Sequence, residues 1–209
     1  MKEYILAIDE GTTGSTALLI DSESFELVDS INQEFKQHFP KPSWVEHNLT
    51  EIWEAIEATV KKVMAENNVT GEQICSIGIT NQRETTCAYD SKGRPLANAI
   101  VWQDRRTSEF CKSNKESFEA HKKLTGLPLD PYFSGTKMKW LLENNSNVKD
   151  AAKKNDLKLS TIDSFILYKM TAGQSFKTEA SNASRTLLMD LTTCDWSKEL
   201  LDFFEVKRE

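Results

Sequence analysis

The first stretch of this sequence that could do chemistry is a glycine-rich turn with an apolar run on each side. Its residues are, in order, Asp9, Glu10, Gly11, Thr12, Thr13 and Gly14. We expect a β-hairpin whose tip presents successive N–H groups and two hydroxyls, a concave shape that suits phosphate oxygens. Glycines at 11 and 14 would let the backbone adopt positive φ and approach a ligand closely.

A carboxylate stands at the mouth of this turn. Asp9 would repel a bare phosphate, but it suits a hydrated Mg²⁺ ion that bridges phosphate oxygens. The turn is not a Walker A loop, because no Gly-Lys-Ser/Thr follows and the next segment reads as a strand. An ordinary hairpin turn is the alternative at this point, since Gly, Asp, Ser and Thr are common turn residues.

Charged residues also follow two later apolar runs, at the point where each run ends. Arg83 and Glu84 come after residues 74–80, and residues 103–106 come after 98–102. In open α/β sheets, ligands bind where strands end. A guanidinium donates hydrogen bonds and a carboxylate accepts them, so this Arg–Glu pair could hold adjacent hydroxyls of a small polyol. A surface ion pair of little energetic value is the alternative.

Two aromatic residues stand at breaks between regular elements. Trp102 ends an apolar run, and Tyr132 follows a segment with two prolines. Their rings could press against the C–H side of a polyol, with the tyrosine hydroxyl donating a hydrogen bond. Both could equally belong to the core.

The bulk composition argues against several classes of function. The 209 residues carry a net charge of −6, which gives no support for a nucleic-acid partner or an anionic membrane surface. The four cysteines lie far apart and without histidines at metal spacing, so we expect reduced thiols. We see neither a signal peptide nor a membrane span, and therefore expect a cytoplasmic location.

The elements that must position these residues follow from periodicity. We expect a third meander strand over 26–35, a buried strand over 74–80, and a helix that begins after an Asn48 N-cap. Further helices are expected over 107–124, 135–144, 148–155, 163–170 and after Ser197, with a hairpin-like stretch over 178–190. Since no linker or repeat interrupts the pattern, we expect one compact domain.

Five segments together resemble the FGGY family of carbohydrate kinases, in particular its glycerol-phosphorylating members. These segments are 9–16, 78–86, 98–107, 130–137 with Trp140-Leu141, and 178–186. The resemblance implies an α/β fold of the ribonuclease H-like (actin-like ATPase) type, with a mixed sheet and flanking helices. Residues 1–209 would be the N-terminal, substrate-binding domain, with a C-terminal nucleotide domain outside this chain.

For the turn, the resemblance implies a role in holding ATP. Thr12, Thr13 and Gly14 would contact the nucleotide phosphates, and Asp9 would hold Mg²⁺ through water. ATP and Mg²⁺ are thus the implied cofactors.

For the strand ends, the resemblance implies glycerol binding by Arg83, Glu84, Trp102 and Tyr132. The implied reaction is ATP-dependent phosphorylation of glycerol to sn-glycerol 3-phosphate. The family's catalytic base is an aspartate in a segment beyond residue 209, so no catalytic residue is expected here and we expect these residues alone to be inactive. Glycerol, ATP and ADP would be the partners, without nucleic acid or membrane, in a homo-oligomer.

The turn departs from the family's usual Asp-Gln-Gly-Thr-Thr-Ser-Ser-Arg at three positions: Glu10 replaces Gln, Gly14 replaces Ser and Thr16 replaces Arg. The lost arginine and the added carboxylate would both weaken phosphate binding. Two alternatives therefore stay open. One is a kinase of another polyol or sugar, and the other is a catalytically weak, glycerol-binding regulatory protein.

Overall fold

A computed structural model describes residues 2–208 of the chain. The strands are β1 Tyr4–Glu10, β2 Gly14–Asp21, β3 Leu27–Glu34, β4 Gln37–His38, β5 Glu46–His47, β6 Ile74–Asn81, β7 Cys87–Tyr89, β8 Ala99–Ile100, β9 Lys158–Ser160, β10 Met189–Asp190 and β11 Asp195–Trp196. The α-helices are α1 Leu49–Glu66, α2 Ser108–Ser113, α3 Lys115–Phe118, α4 Lys122–Thr125, α5 Ser134–Asn144, α6 Ser146–Lys153, α7 Ile162–Met170, α8 Ala180–Ala183 and α9 Lys198–Phe204. Short 3₁₀ turns occupy Gly71–Gln73 and Glu119–His121.

The described residues divide into two compact units. Unit 1 comprises the residues up to Gln37 together with Asn48–Gln82, and unit 2 comprises His38–His47 together with the residues from Arg83 onward. The predicted glycine-rich turn lies in unit 1. The predicted polyol residues lie in unit 2.

Unit 1 is built on a four-stranded sheet in the order β3-β2-β1-β6. β1, β2 and β3 form the predicted antiparallel meander, and β6 runs parallel to β1. Alternate residues of β1 and β2 are buried, among them Leu6, Ile8, Ala17 and Leu19. The period of two thus gives the sheet an apolar face, which α1 covers.

Helix α1 begins where the sequence predicts. The side chain of Asn48 accepts a hydrogen bond from the backbone N–H of Thr50 at 2.8 Å, which satisfies one of the free donors at the helix start. The residues of α1 that are buried recur at helical spacing, and they are Leu49, Ile52, Ala55, Ile56, Thr59 and Val63.

Strand β6 is less buried than its sequence predicts. An apolar run such as residues 74–80 is typical of a strand covered on both faces, yet most of β6 is exposed and Ile77 is 47% exposed. Among the described residues, β6 pairs with β1 alone, and α1 contacts β1, β2 and β3. An apolar run reports the chemistry of a strand and not its position in the sheet.

In unit 2, α5 and α9 pack around an aromatic and aliphatic core that includes Phe118, Phe133, Leu187 and Phe204. The predicted helix over 107–124 is present as α2, α3 and α4, separated by turns. The predictions of α5, α6, α7 and α9 are confirmed within a few residues.

The hairpin-like stretch predicted over 178–190 is wrong in its first half. Residues Ala180–Ala183 form the short helix α8, because the Glu179 side chain accepts hydrogen bonds from the backbone N–H groups of Ser181 and Asn182. A glutamate serves here as the N-cap, a position usually held by Ser, Thr, Asp or Asn. A two-residue pairing of β10 with β11 follows.

A buried arginine fixes the segment that carries Trp102. The Arg106 guanidinium donates to both carboxylate oxygens of Asp104, at 3.0 and 2.8 Å, and to Glu46 at 2.7 Å. Its central carbon lies 3.7 Å from the ring centre of Trp44 and 4.6 Å from that of Trp140. Bidentate pairing and cation–π contact together stabilise a charge that is removed from water.

We expect Arg106→Met to lower the free energy of unfolding by roughly 3–5 kcal/mol, because it leaves the buried Asp104 carboxylate without its cation. The matched control is Arg105→Met, which removes a pair with Asp130 whose two side chains are nearly half exposed and should cost less than about 1 kcal/mol. Urea unfolding of the three proteins measures both values. Equal losses in the two variants would contradict the special role of Arg106.

Candidate functional site

The glycine-rich turn is the tip of the β1–β2 hairpin, as predicted. The Gly11 N–H donates to the Gly14 carbonyl at 2.9 Å, which closes the turn around residues 12 and 13. The Thr13 carbonyl accepts from the Phe35 N–H at 3.3 Å. Asp9 and Thr13 are exposed at this tip, so an incoming anion or hydrated cation can reach them.

The backbone at the two glycines differs from the one their sequence suggests. Neither Gly11 nor Gly14 has a positive φ, so the expectation of a left-handed backbone here is wrong. A Cβ at Gly14 would instead lie 2.7 Å from the Gln33 carbonyl oxygen of β3, closer than real Cβ contacts. The close approach that requires glycine at 14 is between two strands of the protein.

The Glu10 carboxyl group is buried, although the sequence places it in a phosphate-binding turn. Its Oε1 accepts from Gln82 Nε2 at 3.0 Å, while Oε2 and the Oγ of its cross-strand neighbour Ser15 have no hydrogen-bond partner among the described residues. Burial raises the pKa of Glu10 to about 8, and the nearby charge of Asp9 acts in the same direction. The group is therefore largely uncharged at neutral pH, and the expected repulsion of phosphate by an added carboxylate does not apply.

Thr16, the third departure, also has a local partner. Its Oγ1 accepts from Asn32 Nδ2 at 2.9 Å, across the β2–β3 pair in which the two residues are opposite each other. The threonine supports the meander where the family's usual residue is a cation. No described contact replaces the positive charge that this position lacks.

Three of the four predicted polyol residues come together in unit 2. The rings of Trp102 and Tyr132 meet edge to face with centres 5.6 Å apart. The backbone N–H of Trp102 donates to the Oγ1 of Thr85 at 3.3 Å, and Thr85 follows Glu84 in the chain. Arg83 is exposed and adjoins Glu84 in the chain. These residues supply a donor, an acceptor and two aromatic surfaces, which is the set that a small polyol requires.

Glu84 is held in an unusual conformation. It is 3% exposed and its φ is +66°, a left-handed backbone that costs a residue other than glycine about 1 kcal/mol or more. Ser134 Oγ donates to its carbonyl at 3.0 Å. Its carboxylate pairs with Arg185, whose Nε donates to Oε1 at 2.7 Å, so the ionic partner of Glu84 is a residue distant in the sequence.

The sequence gives no local signal for a second buried cation, Lys137. Its side chain is fully buried in α5, and Nζ donates to the carbonyls of Tyr132 and Phe133 at 2.6 and 3.2 Å. Burial lowers the pKa of Lys137 to about 7, against the opposing effect of the Asp104 and Glu84 carboxylates. An amine has two N–H donors even when neutral, so both carbonyls stay satisfied in either protonation state.

Two cavities of unit 2 lie away from this cluster. One of about 70 Å³ is lined by residues that include Thr161 and Leu201, and one of about 410 Å³ by residues that include Leu157 and Lys207. Neither contains a predicted site residue. We place the candidate site at Glu84, Trp102 and Tyr132, because charge, backbone strain and aromatic surface converge there.

Two features of residues 2–208 bear on other classes of function. No group of three or more His, Cys, Asp or Glu side chains lies close enough together to hold a metal ion. None of the helices described has the length and apolar character needed to cross a membrane. Within the same residues, Cys75, Cys87, Cys111 and Cys194 are free cysteines, with Cys87 and Cys111 buried.

Residues 4–209 match the FGGY family of carbohydrate kinases, N-terminal domain. The chain therefore belongs to this family of kinases, as its motifs predict. It is 46% identical to the glycerol kinase of Geobacillus sp. strain WCH70 and 47% identical to that of Bacillus cereus strain AH187. Both alignments cover the whole chain but 42% of each relative, so the chain spans less than half the length of the curated relatives it matches.

Solved structures give the same result for the fold. The crystal structure of Plasmodium falciparum glycerol kinase with ADP matches with a TM-score of 0.90 at 32% identity, over 98% of this chain and 41% of that one. Gluconate kinase from Lactobacillus acidophilus matches with a TM-score of 0.86 at 24% identity, over all of this chain and 41% of that one, which speaks to the fold alone. The fold is thus the predicted ribonuclease H-like fold of the actin-like ATPases.

Replacing Glu10 by Gln should stabilise the protein at pH 8 by roughly 4 kcal/mol and at pH 5 by less than about 1 kcal/mol. Between the ordinary value of 4.5 and the raised pKa of about 8, the folded protein keeps a proton that the unfolded chain has lost. The stability of the natural protein must therefore fall as pH rises through this range, and glutamine removes that dependence.

Denaturant unfolding at pH 5 and pH 8 measures the effect of Glu10→Gln. Glu54→Gln, at an exposed position of α1, is the matched control and should leave both values unchanged. Parallel pH profiles for the natural protein and Glu10→Gln would contradict the burial of a proton at Glu10.

Restoring the family's usual serine by Gly14→Ser should destabilise the hairpin by roughly 1–3 kcal/mol, because the new Cβ would press on the Gln33 carbonyl and displace β3. Gly78→Ser is the control, since a Cβ at Gly78 meets nothing within 4 Å. Thermal melts compare the two. If Gly14→Ser is as stable as Gly78→Ser, β3 can move to accommodate the new Cβ without loss of stability, which would contradict the prediction.

Proposed function

We propose that the protein to which this chain belongs phosphorylates glycerol with ATP, giving sn-glycerol 3-phosphate and ADP. The observation that carries the proposal is the cluster of Glu84, Trp102 and Tyr132, with Arg83 next to it in the chain. Family membership and the 46–47% identity to relatives named glycerol kinase support it.

The chemistry of the cluster suits a small neutral polyol. The Glu84 carboxylate accepts hydrogen bonds from hydroxyl groups, and the Arg83 guanidinium donates to hydroxyl oxygens. The edge-to-face rings of Trp102 and Tyr132 offer an apolar wall for the C–H side of the ligand. Such a site orients the ligand by its hydroxyls and excludes water from its carbons.

The turn in unit 1 is our candidate for holding the nucleotide. Thr12, Thr13 and Gly14 would contact the phosphates through N–H and hydroxyl groups. Asp9 fits a magnesium ion, because Mg²⁺ usually keeps several waters and binds one or two carboxylates together with substrate phosphates. When bound, the ion would neutralise charge on the phosphates, and the exposed carboxylate would hold it through water.

In the proposed reaction a glycerol hydroxyl oxygen forms a bond to the γ-phosphorus of ATP, the bond from that phosphorus to ADP breaks, and the hydroxyl proton passes to a base. The residues in hand position and orient the ligands for this transfer. As the family resemblance implies, we assign the base to a segment beyond residue 209 and expect residues 1–209 alone to be inactive. We also propose that the full-length protein is located in the cytoplasm and assembles as a homo-oligomer.

The test is glycerol-dependent release of ADP by the full natural polypeptide that contains this chain. With Mg-ATP, we expect turnover with glycerol and much less with dihydroxyacetone, xylulose or gluconate. Tyr132→Phe should raise the KM for glycerol by about three- to tenfold through loss of one hydroxyl, and Tyr4→Phe is the control in unit 1.

Each result has a distinct meaning. Selectivity for another substrate would make the protein a kinase of a different polyol or sugar. A folded protein that binds glycerol but releases no ADP would be a glycerol-binding protein that has lost its phosphate site, which would point to the missing cation at position 16.

A further inference from the structure

Arg185 contacts two of the residues that we propose to bind glycerol. Its Nε donates to Glu84 Oε1 at 2.7 Å, and its guanidinium carbon lies 5.8 Å from the ring centre of Tyr132. It also lies 5.0 Å from the ring centre of Phe133, and its side chain is 28% exposed. One guanidinium thus connects the carboxylate and the phenol ring of the candidate pocket.

We propose that Arg185 is a positioning residue that determines affinity for the polyol. It holds Glu84 by one oxygen, Oε1, and leaves the second oxygen to accept a hydrogen bond from a ligand hydroxyl. The inference rests on the proposed function, since it names how the same site is oriented.

The arrangement depends on the start of α5, which joins two segments that are 101 residues apart in the sequence. Ser134 Oγ donates to the carbonyl of Glu84 at 3.0 Å, and the Gly135 N–H donates to the carbonyl of Thr186 at 2.7 Å. A Cβ at Gly135 would lie 2.7 Å from that same Thr186 oxygen. The residues next to Glu84 and Arg185 are therefore held at a fixed separation by adjacent residues of one helical turn.

The geometry of the contact explains why this residue is an arginine. The guanidinium donates to Oε1 through Nε, while its central carbon lies 5.8 Å from the ring centre of Tyr132 and 5.0 Å from that of Phe133. Guanidinium is planar and stacks on aromatic faces, whereas a lysine ammonium is a point charge on a flexible stem. Lysine at 185 could supply charge but no planar group to lie beside the rings of Tyr132 and Phe133.

A purely structural ion pair makes a different prediction from a positioning pair. If the pair serves only stability, its loss should lower the melting temperature and leave the affinities for the two substrates unchanged or shift them together. If Arg185 orients Glu84, its loss should weaken glycerol and spare ATP. In a protein that already lacks the Glu84 carboxylate, the loss of Arg185 should not weaken glycerol binding any further.

The experiment measures KM for glycerol, KM for ATP and kcat in the full natural polypeptide, for Arg185→Met, Arg185→Lys, Glu84→Gln and the double variant Glu84→Gln/Arg185→Met. We expect Arg185→Met to raise the KM for glycerol about tenfold to a hundredfold and to change the KM for ATP less than about twofold. Arg185→Lys should recover only part of the loss. The double variant should bind glycerol about as weakly as Glu84→Gln.

Arg94→Met is the matched control, because Arg94 pairs with Asp90 through a side chain that is 69% exposed. Its KM values should be those of the natural protein. Calorimetric titration with glycerol in the absence of ATP checks that the KM changes are changes in binding. If Arg185→Met does not fold, the test uses Arg185→Lys and the double variant. Arg185→Lys keeps a positive charge beside Glu84, and the double variant has no carboxylate at position 84 to leave unpaired.

Three results would overturn the inference: an unchanged KM for glycerol in folded Arg185→Met, an equal rise in both KM values, or losses that multiply in the double variant. A natural protein that neither binds nor phosphorylates glycerol would instead overturn the proposed function, and the inference with it. The three results against the role of Arg185 are obtained with a natural protein that binds and phosphorylates glycerol. Failure of the inference is therefore distinguishable from failure of the proposed function.

Discussion

The first turn of α5 determines where the candidate polyol residues of unit 2 lie. It packs so closely against the Thr186 carbonyl that only glycine fits at 135, and the adjacent Ser134 hydroxyl holds the strained backbone of Glu84. One turn further, the Lys137 ammonium binds the carbonyls of Tyr132 and Phe133. Segments that are distant in sequence thus share one rigid element, which is how a protein holds binding groups to within a fraction of an ångström.

Much of this architecture could be predicted from sequence, and the failures have physical causes. The β1–β2 hairpin, the Asn48 cap and the helix after Ser197 are signalled by neighbouring residues, so they are recognisable without the fold. Helix α8 lacks such a signal, because its cap is a glutamate in a polar stretch. The exposure of β6 could not be read from residues 74–80, because it depends on which strands and helices lie beside them.

The candidate site shows the same division. Glu84, Trp102 and Tyr132 are predictable from motifs and their resemblance to a family, and their roles remain predictions. Arg185 lies inside one of those motifs, but its contact is not predictable from the motif because the carboxylate that it binds is 101 residues away in the sequence. The burial of Lys137 is not predictable either, because lysine is usually exposed and nothing in α5 alone indicates that this one is buried.

The contact between Gly14 and Gln33 also has an evolutionary consequence. Once glycine occupies position 14, β3 can lie against the hairpin at a distance that no other side chain permits. A larger residue at position 14 requires the neighbouring strand to move, so the residue accepted there depends on the position of β3. Glu10 and Thr16 are coupled in the same way to Gln82 and Asn32, with which their side chains share hydrogen bonds. We therefore expect a change at any of these three positions to be tolerated best when its partner in the sheet changes with it.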